Sequence, residues 1–165
     1  PDLDRGRQLC EEGRLEGAAG EALVVVDGSS DGLAGMPPGL RTYLERRELP
    51  EGTVLIRQDE SPDDVFVLES GRLSVETVTP EGTRMRLRTL RPGEVVGEMA
   101  MYTGVPRSAD VVAETPSVVL RLSRESIERV EAADPALAAA LHRWLATTLS
   151  ERLGESLRAF DALFD

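Results

Sequence analysis

The central part of the chain carries short apolar runs that recur at close spacing and predict β-strands. Three of them follow one another at residues 54–56, 65–68 and 73–75, and Pro, Gly, Ser and Asp residues form turn signals between them. Two more runs lie at residues 111–113 and 118–122. Many short strands at regular spacing are typical of antiparallel sheets folded into a sandwich or a barrel.

One further segment alternates polar and apolar residues in the manner of a half-buried strand. Met85, Leu87 and Thr89 alternate with arginines, and successive side chains of a strand point to opposite faces. We therefore expect one apolar face packed on the core and one charged face in solvent, formed by Arg84, Arg86 and Arg88.

Helical patterns flank the strands on both sides. After two prolines, Leu40, Tyr43 and Leu44 share one face of a predicted helix. At the other end, Ser123 opens a helix as its N-cap, and Asp134 with Pro135 begins the last one.

The last helix carries a leucine at every fourth position, which advances the apolar stripe by about 40° per step on a helix of 3.6 residues per turn. One flat partner cannot cover the whole stripe, so the early leucines face the strands and the later residues need a second subunit or another domain. The stripe comprises Leu137, Leu141, Leu145, Leu149, Leu153 and Leu157, and continues to Phe160, Leu163 and Phe164.

The first 36 residues predict a separate unit. Residues 2–19 read as a short polar helix, and residues 27–39 are rich in Gly, Ser and Pro, which is typical of a flexible connector. We assign residues 1–36 to an N-terminal helix and linker. Residues 37–165 form one mainly β domain with flanking helices.

Composition excludes several classes of function. The formal net charge of −11 repels nucleic acid, so no nucleic-acid partner is expected. The chain has one cysteine, Cys10, and one histidine, His142. It can therefore form neither an internal disulfide nor a metal site with two imidazoles. No nucleophile–base pair is visible, so we expect neither an enzyme nor a cofactor. Without a long apolar run or a signal peptide, the chain is expected in the cytoplasm.

The segment at residues 97–110 carries the candidate chemistry. It begins with Gly97 and Glu98, continues through a short helix-like insert, and reaches Pro106 and Arg107 after seven intervening residues. The guanidinium group of an arginine can grip two phosphate oxygens. The free N–H groups at a helix start attract anions, and an ionised glutamate accepts a hydrogen bond from a hydroxyl.

This segment resembles the phosphate-binding cassette of cyclic-nucleotide-binding domains, and the resemblance extends over residues 37–153. It implies a β-roll of the catabolite-activator type (a double-stranded β-helix or jelly roll) followed by a long C-terminal helix. The implied ligand is cAMP or cGMP, with cAMP the more expected. Two residues of the last helix, Leu141 and Trp144, are candidates to cover the base. The resemblance assigns the phosphate to Arg107, Ser108, Ala109, Met99 and Ala100, and the ribose to Gly97 and Glu98.

Two residues depart from the family pattern. Asp110 stands where the family often has Thr or Ser, and its carboxylate would repel a bound phosphate unless it points away. Asp59 stands where a tight turn usually holds Gly, although Asp tolerates left-handed backbone geometry better than most residues.

A second resemblance concerns the two ends of the chain. Residues 2–4 and 9–12 resemble the closing helix of the STAS domain, which follows the membrane segments of bacterial sulfate-permease-type transporters. Residues 142–145 and 150–153 are similar to the tails of transporters that add a cyclic-nucleotide-binding roll. This resemblance implies transmembrane and STAS-type domains in the same polypeptide, at the inner face of the bacterial inner membrane.

Three functions follow from these patterns. The expected one is a regulatory module that binds a cyclic nucleotide and controls an attached membrane anion transporter. The second is a ligand-free β-roll that acts as an oligomerisation surface, with a homodimer through the C-terminal helix. The third is the sensor domain of a transcription factor that lacks its DNA-binding part.

Overall fold

Two antiparallel four-stranded sheets form the centre of the molecule, in a computed structural model that describes residues 33, 35–61 and 63–163. The strand orders are β1-β8-β3-β6 and β2-β7-β4-β5. The predicted mainly β architecture is therefore confirmed, whereas the predicted N-terminal helix at residues 2–19 and Phe164 lie outside the described residues. The strands are β1 (Glu45–Leu49), β2 (Val54–Ile56), β3 (Asp64–Ser70), β4 (Leu73–Val78), β5 (Arg84–Leu90), β6 (Val95–Val96), β7 (Asp110–Ala113) and β8 (Ser117–Ser123).

The helices lie where the sequence predicts them, and their caps explain why. A 3₁₀ helix spans Pro38–Tyr43, and three α-helices follow: α1 (Glu98–Thr103), α2 (Arg124–Ala133) and α3 (Pro135–Asp161). The hydroxyl of Ser123 accepts a hydrogen bond from the Ser126 amide at 3.1 Å, and the carboxylate of Asp134 accepts one from the Leu137 amide at 3.0 Å. Both predicted N-caps therefore satisfy amides that the first helical turn leaves unpaired.

The core is divided by the sheet that contains β3. Between the two sheets lies a cluster with Phe66, Leu68 and Leu73 at its centre. On the other face of β3, Val65 and Val67 pack with the helices in a second cluster. That second cluster comprises Leu33, Met36, Leu40, Val65, Val67, Val95, Leu120, Leu122, Ile127, Val130, Ala138, Leu141 and Leu145.

The leucine stripe of α3 divides as predicted. Leu141 and Leu145 are fully buried in the helical cluster, whereas Leu153 is 61% exposed and Leu157 is 57% exposed. The second half of the helix therefore presents an apolar surface. No helix in the described part of the chain is both long enough and apolar enough to cross a membrane.

Strand β1 is an element that the hydrophobic pattern does not predict. Its first four residues are charged, so it lacks the apolar alternation of a strand. As the edge strand of its sheet it pairs on one side only, with β8. Ion pairs to β3 and β8, Arg46 with Glu69 and Arg121 with Glu45, each at 2.9 Å, replace the usual apolar contacts.

The predicted single arginine face of β5 is wrong, because the strand contains a β-bulge. Arg88 and Arg86 pair with consecutive residues of β4, so Leu87 is the extra residue. Arg86 consequently forms an ion pair with Glu114, on the side away from the cavity that Arg88 lines. Met85 and Leu87, which the alternation predicts to be buried, are exposed instead.

Candidate functional site

A cavity of about 180 Å³ lies between the segment at residues 97–110 and the second sheet. All seven residues predicted to hold the phosphate and the ribose line it. Apolar residues form another part of its wall, and two arginines complete it. The residues that were not predicted are Ile56, Val75, Arg88, Leu90, Val96, Val111 and Arg152.

Gly97 fixes the shape of the cavity at the start of α1. Its φ of 94° lies in the left-handed region, which favours glycine. A Cβ at this position would lie 2.6 Å from the Asp64 carbonyl oxygen and 2.8 Å from Nη1 of Arg107. Only a residue without a side chain lets the chain turn into α1 while Arg107 passes so close.

Helix α1 presents its first amides at the cavity. Met101 donates the first intrahelical hydrogen bond, to the Gly97 carbonyl at 3.3 Å. The amides of Met99 and Ala100 precede it, so helix geometry provides them with no acceptor inside α1. Ala100 is buried, whereas the Met99 side chain is exposed. These two residues can therefore contribute backbone donors to the cavity.

Arg107 is held by backbone carbonyls. It is 7% exposed, and its Nη1 donates to Gly97 at 2.8 Å while its Nη2 donates to Asp64 at 2.6 Å. Among the described residues, its hydrogen-bond partners are neutral carbonyls, so no carboxylate cancels its charge by direct contact. Burial lowers the pKa of Arg107 from its ordinary value, although the carboxylates of Asp64 and Asp63 act in the opposite direction. A guanidinium nevertheless stays charged in proteins.

Glu98 is the acid among the described residues that line the cavity, and it is 1% exposed. Its Oε1 forms an ion pair with Arg152 of α3, which also donates to the Val95 carbonyl. Its Oε2 is buried and has no hydrogen-bond partner among the described residues. The sequence identifies Glu98 but not Arg152, because 54 residues separate the two and no local pattern connects them.

Arg88 is the second cavity residue that sequence reasoning missed. The bulge at Leu87 turns it inward, and Glu94 is its ion-pair partner. Burial, and then repulsion from Arg152, lowers the pKa of the Arg88 guanidinium. Three guanidinium groups thus line the cavity, and two of them are paired with glutamates.

The two departures from the family pattern leave the cavity intact. Asp110 turns away from it, because Oδ1 accepts from the Gln58 amide at 2.7 Å and Oδ2 from Arg84 at 3.3 Å. Ser108 is exposed at the cavity and Ala109 is buried against it. Asp59 takes the left-handed conformation that the sequence predicts for it, with φ at 67°.

Neither residue predicted to cover the base lies at the cavity. Leu141 is fully buried in the helical cluster, and Trp144 lines a separate cavity of about 330 Å³ together with Gly35. A covering role for either residue stays a prediction that requires α3 to move. In this conformation, Arg152 is the described residue of α3 that lines the cavity of about 180 Å³.

The cavity suits a small organic anion that also carries a hydroxyl and an apolar face. Arg107 supplies a positive charge whose hydrogen-bond partners are neutral carbonyls, Glu98 supplies a free acceptor, and the apolar wall can bury a ring. Across residues 33, 35–61 and 63–163, no three His, Cys, Asp or Glu side chains are grouped as metal ligands.

The sequence profile of the cyclic nucleotide-binding domain matches residues 46–134. The chain is 31% identical over 112 residues to an NTE family protein of Mycobacterium tuberculosis. The matched region is 68% of this chain and 18% of that protein. It is 33% identical over 116 residues to a cyclic nucleotide-gated potassium channel of Mesorhizobium japonicum, which covers 70% of this chain and 30% of the channel. The chain therefore spans less than a third of the length of these curated relatives.

The catabolite activator protein of Thermus thermophilus has a similar structure. The two superimpose with a TM-score of 0.65 at 28% identity, covering 81% of this chain and 63% of that one. This similarity confirms the β-roll followed by a long C-terminal helix that the sequence predicts.

Proposed function

Since this chain belongs to the cyclic nucleotide-binding domain family, we propose that it is a regulatory module whose cavity binds a cyclic nucleotide. The observation that carries the proposal is the buried guanidinium of Arg107, whose hydrogen-bond partners among the described residues are neutral carbonyls. A guanidinium whose direct partners are neutral can still form a charge-assisted contact with an anion. A singly charged cyclic phosphate would supply that anion.

The other subsites fit the remaining parts of such a ligand. Ser108 and the amides of Met99 and Ala100 would supply further donors to the phosphate. The free Oε2 of Glu98 would accept the ribose 2′-hydroxyl. The base would lie against the apolar wall. The proposal assigns the chain a binding role and no catalytic step.

We propose cAMP in preference to cGMP. Guanine presents two acceptors, O6 and N7, on the edge that arginine reads best. The two arginines that line the cavity beside Arg107 are already engaged, Arg88 by Glu94 and Arg152 by Glu98. A base that makes less demand on guanidinium donors, such as adenine, suits this wall better.

The binding event would control an attached membrane anion transporter. The support is the STAS-like pattern at the N-terminus, which lies outside the described residues, and the similarity to a protein named as a cyclic nucleotide-gated potassium channel. In this proposal the module works in the cytoplasm at the inner face of the bacterial inner membrane. About ten apolar spans of roughly 20 residues upstream in the same reading frame would support it, and a soluble parent protein would refute it.

Calorimetric titration of cAMP and cGMP tests the binding site. Arg107→Ala should weaken cAMP binding by at least about tenfold, since it removes a charge-assisted contact to the phosphate. Arg143→Ala, at an exposed position of α3, should bind like the wild type. Arg107 also donates to the carbonyls of Gly97 and Asp64, so its loss could destabilise the fold. A second variant, Arg107→Gln, and a thermal melting curve of each variant therefore distinguish lost binding from lost folding. Unchanged affinity in a folded Arg107 variant would refute the assignment.

The exposed half of α3 favours a second candidate function. Leu153, Leu157 and Leu163 form an apolar surface that the described residues leave uncovered. A roll without a ligand would use this surface to assemble as a homodimer. Cyclic-nucleotide titration separates the two functions, since the assembly function requires no binding.

A further inference from the structure

The distal half of α3 reaches the ligand cavity through one residue. Beyond Ser150, the described apolar side chains of the helix are mostly exposed, with Leu153 and Leu157 more than half accessible to solvent. Arg152 lies in the same half of the helix, but its side chain is only 22% exposed and lines the cavity. There it contacts Glu98 of α1 and the carbonyl of Val95 in β6.

The two carboxylate oxygens of Glu98 have different surroundings. Oε1 is held by the guanidinium of Arg152, and Oε2 is buried without a hydrogen-bond partner among the described residues. An ionised carboxylate at 1% exposure needs a counter-charge to remain buried. Arg152 supplies this counter-charge at Oε1, and Oε2 remains an acceptor without a donor among the described residues.

We infer that Arg152 is a positioning residue, which orients Glu98 so that Oε2 accepts the ribose 2′-hydroxyl. The inference rests on the proposed function, because it assigns the hydroxyl donor to a cyclic nucleotide. Arg152 acts through Glu98, so its contribution is confined to the sugar subsite. Arg107 instead donates to the carbonyls of Gly97 and Asp64, so the two arginines share no hydrogen-bond acceptor.

This arrangement couples sugar recognition to the position of the distal helix. A ligand that donates a hydroxyl to Glu98 is bound best when Arg152 is docked. By reciprocity, the same ligand stabilises the docked helix. A ligand without that hydroxyl gains nothing from the docked state and leaves the helix unchanged.

The test compares cAMP with 2′-deoxy-cAMP in calorimetric titrations of the full chain. Arg152→Gln should weaken cAMP binding about tenfold or more and leave 2′-deoxy-cAMP binding within about twofold, since a hydrogen bond to a charged group exists with cAMP alone. Arg158→Gln, an exposed arginine of the same half-helix, should preserve the wild-type ratio of the two affinities. A general folding defect would weaken both ligands and leave the ratio unchanged, so an equal loss for both overturns the inference.

A second measurement needs no nucleotide. In the unliganded chain, Arg152→Gln should raise amide hydrogen exchange at residues 151–163 well above the level of Arg158→Gln. Equal exchange in the two variants would overturn the docking role of Arg152. A wild type that binds neither nucleotide would refute the proposed function and the inference with it. A wild type that discriminates the two ligands, with an Arg152→Gln variant that discriminates them equally well, would refute the inference alone.

Discussion

At Asp59 the chain turns with a left-handed backbone, and this turn sets the position of Arg107. Its amide donates to the Arg107 carbonyl at 2.8 Å, and the Arg107 amide donates to the Glu60 carbonyl at 3.0 Å. The side chain of Arg107 therefore projects from a backbone fixed on both sides. Left-handed geometry is unfavourable for a residue with a Cβ, and Asp is among the few that adopt it readily.

Substitutions at Asp59 should separate backbone strain from side-chain chemistry. Asp59→Ala should lower the free energy of unfolding by about 1 kcal/mol, because alanine lacks the local hydrogen bonding that lets Asp tolerate this conformation. Asp59→Gly should match or exceed the wild type, since glycine adopts positive φ freely. Urea denaturation measures both, with Glu128→Ala at an exposed position of α2 as the control. An Asp59→Gly variant less stable than Asp59→Ala would contradict this explanation.

The cavity shows which residues a sequence can identify and which it cannot. Glu98 and Arg107 lie within one segment, where spacing and residue type are visible together, and both line the cavity. Arg88 and Arg152 line it too, but they come from β5 and α3. Their contribution depends on a bulge and on how a long helix packs, and neither has a local signal in the sequence.

Elements are predictable where the apolar pattern and the caps agree. Strands β3 and β8 are buried and apolar, and α2 and α3 open with Ser123 and Asp134 at their N-caps, so the sequence predicts all four. The apolar pattern does not predict strand β1, because ion pairs to other strands rather than apolar contacts hold it in the sheet. The face of β5 is predicted wrongly because the bulge changes the alternation that a regular strand would keep.

The cap at Asp134 should be worth a measurable part of the stability. Its carboxylate is bonded to the Leu137 amide at the junction of α2 and α3. Asp134→Ala should lower the free energy of unfolding by about 1 kcal/mol, and Asp134→Asn, which keeps the acceptor, should lower it much less. Glu128→Ala, at an exposed position inside α2, should change it little. Equal losses for Ala and Asn in urea denaturation would show that the cap is not the cause.

On the scale of the whole molecule, α3 connects three environments. Its first half completes the helical core through Leu141 and Leu145, Arg152 lines the cavity, and Leu157 lies on the exposed surface beyond. A shift of this helix would therefore change the cavity and the surface together. A regulatory module needs such a connection, because a ligand acts at a distance only through an element that both sites contact.

If the exposed surface of α3 is a dimer interface, polar substitution should dissociate the dimer. Burying a leucine contributes about 1.5–3 kcal/mol to the free energy of association, and in a two-fold dimer each substitution occurs in both subunits. We expect Leu153→Ser with Leu157→Ser to weaken self-association by at least about 100-fold in sedimentation equilibrium. Cyclic-nucleotide affinity should change little, because neither leucine lines the cavity. Arg158→Gln should sediment like the wild type. A wild type that remains monomeric at high concentration, or a double variant that stays dimeric, would exclude this surface as the interface.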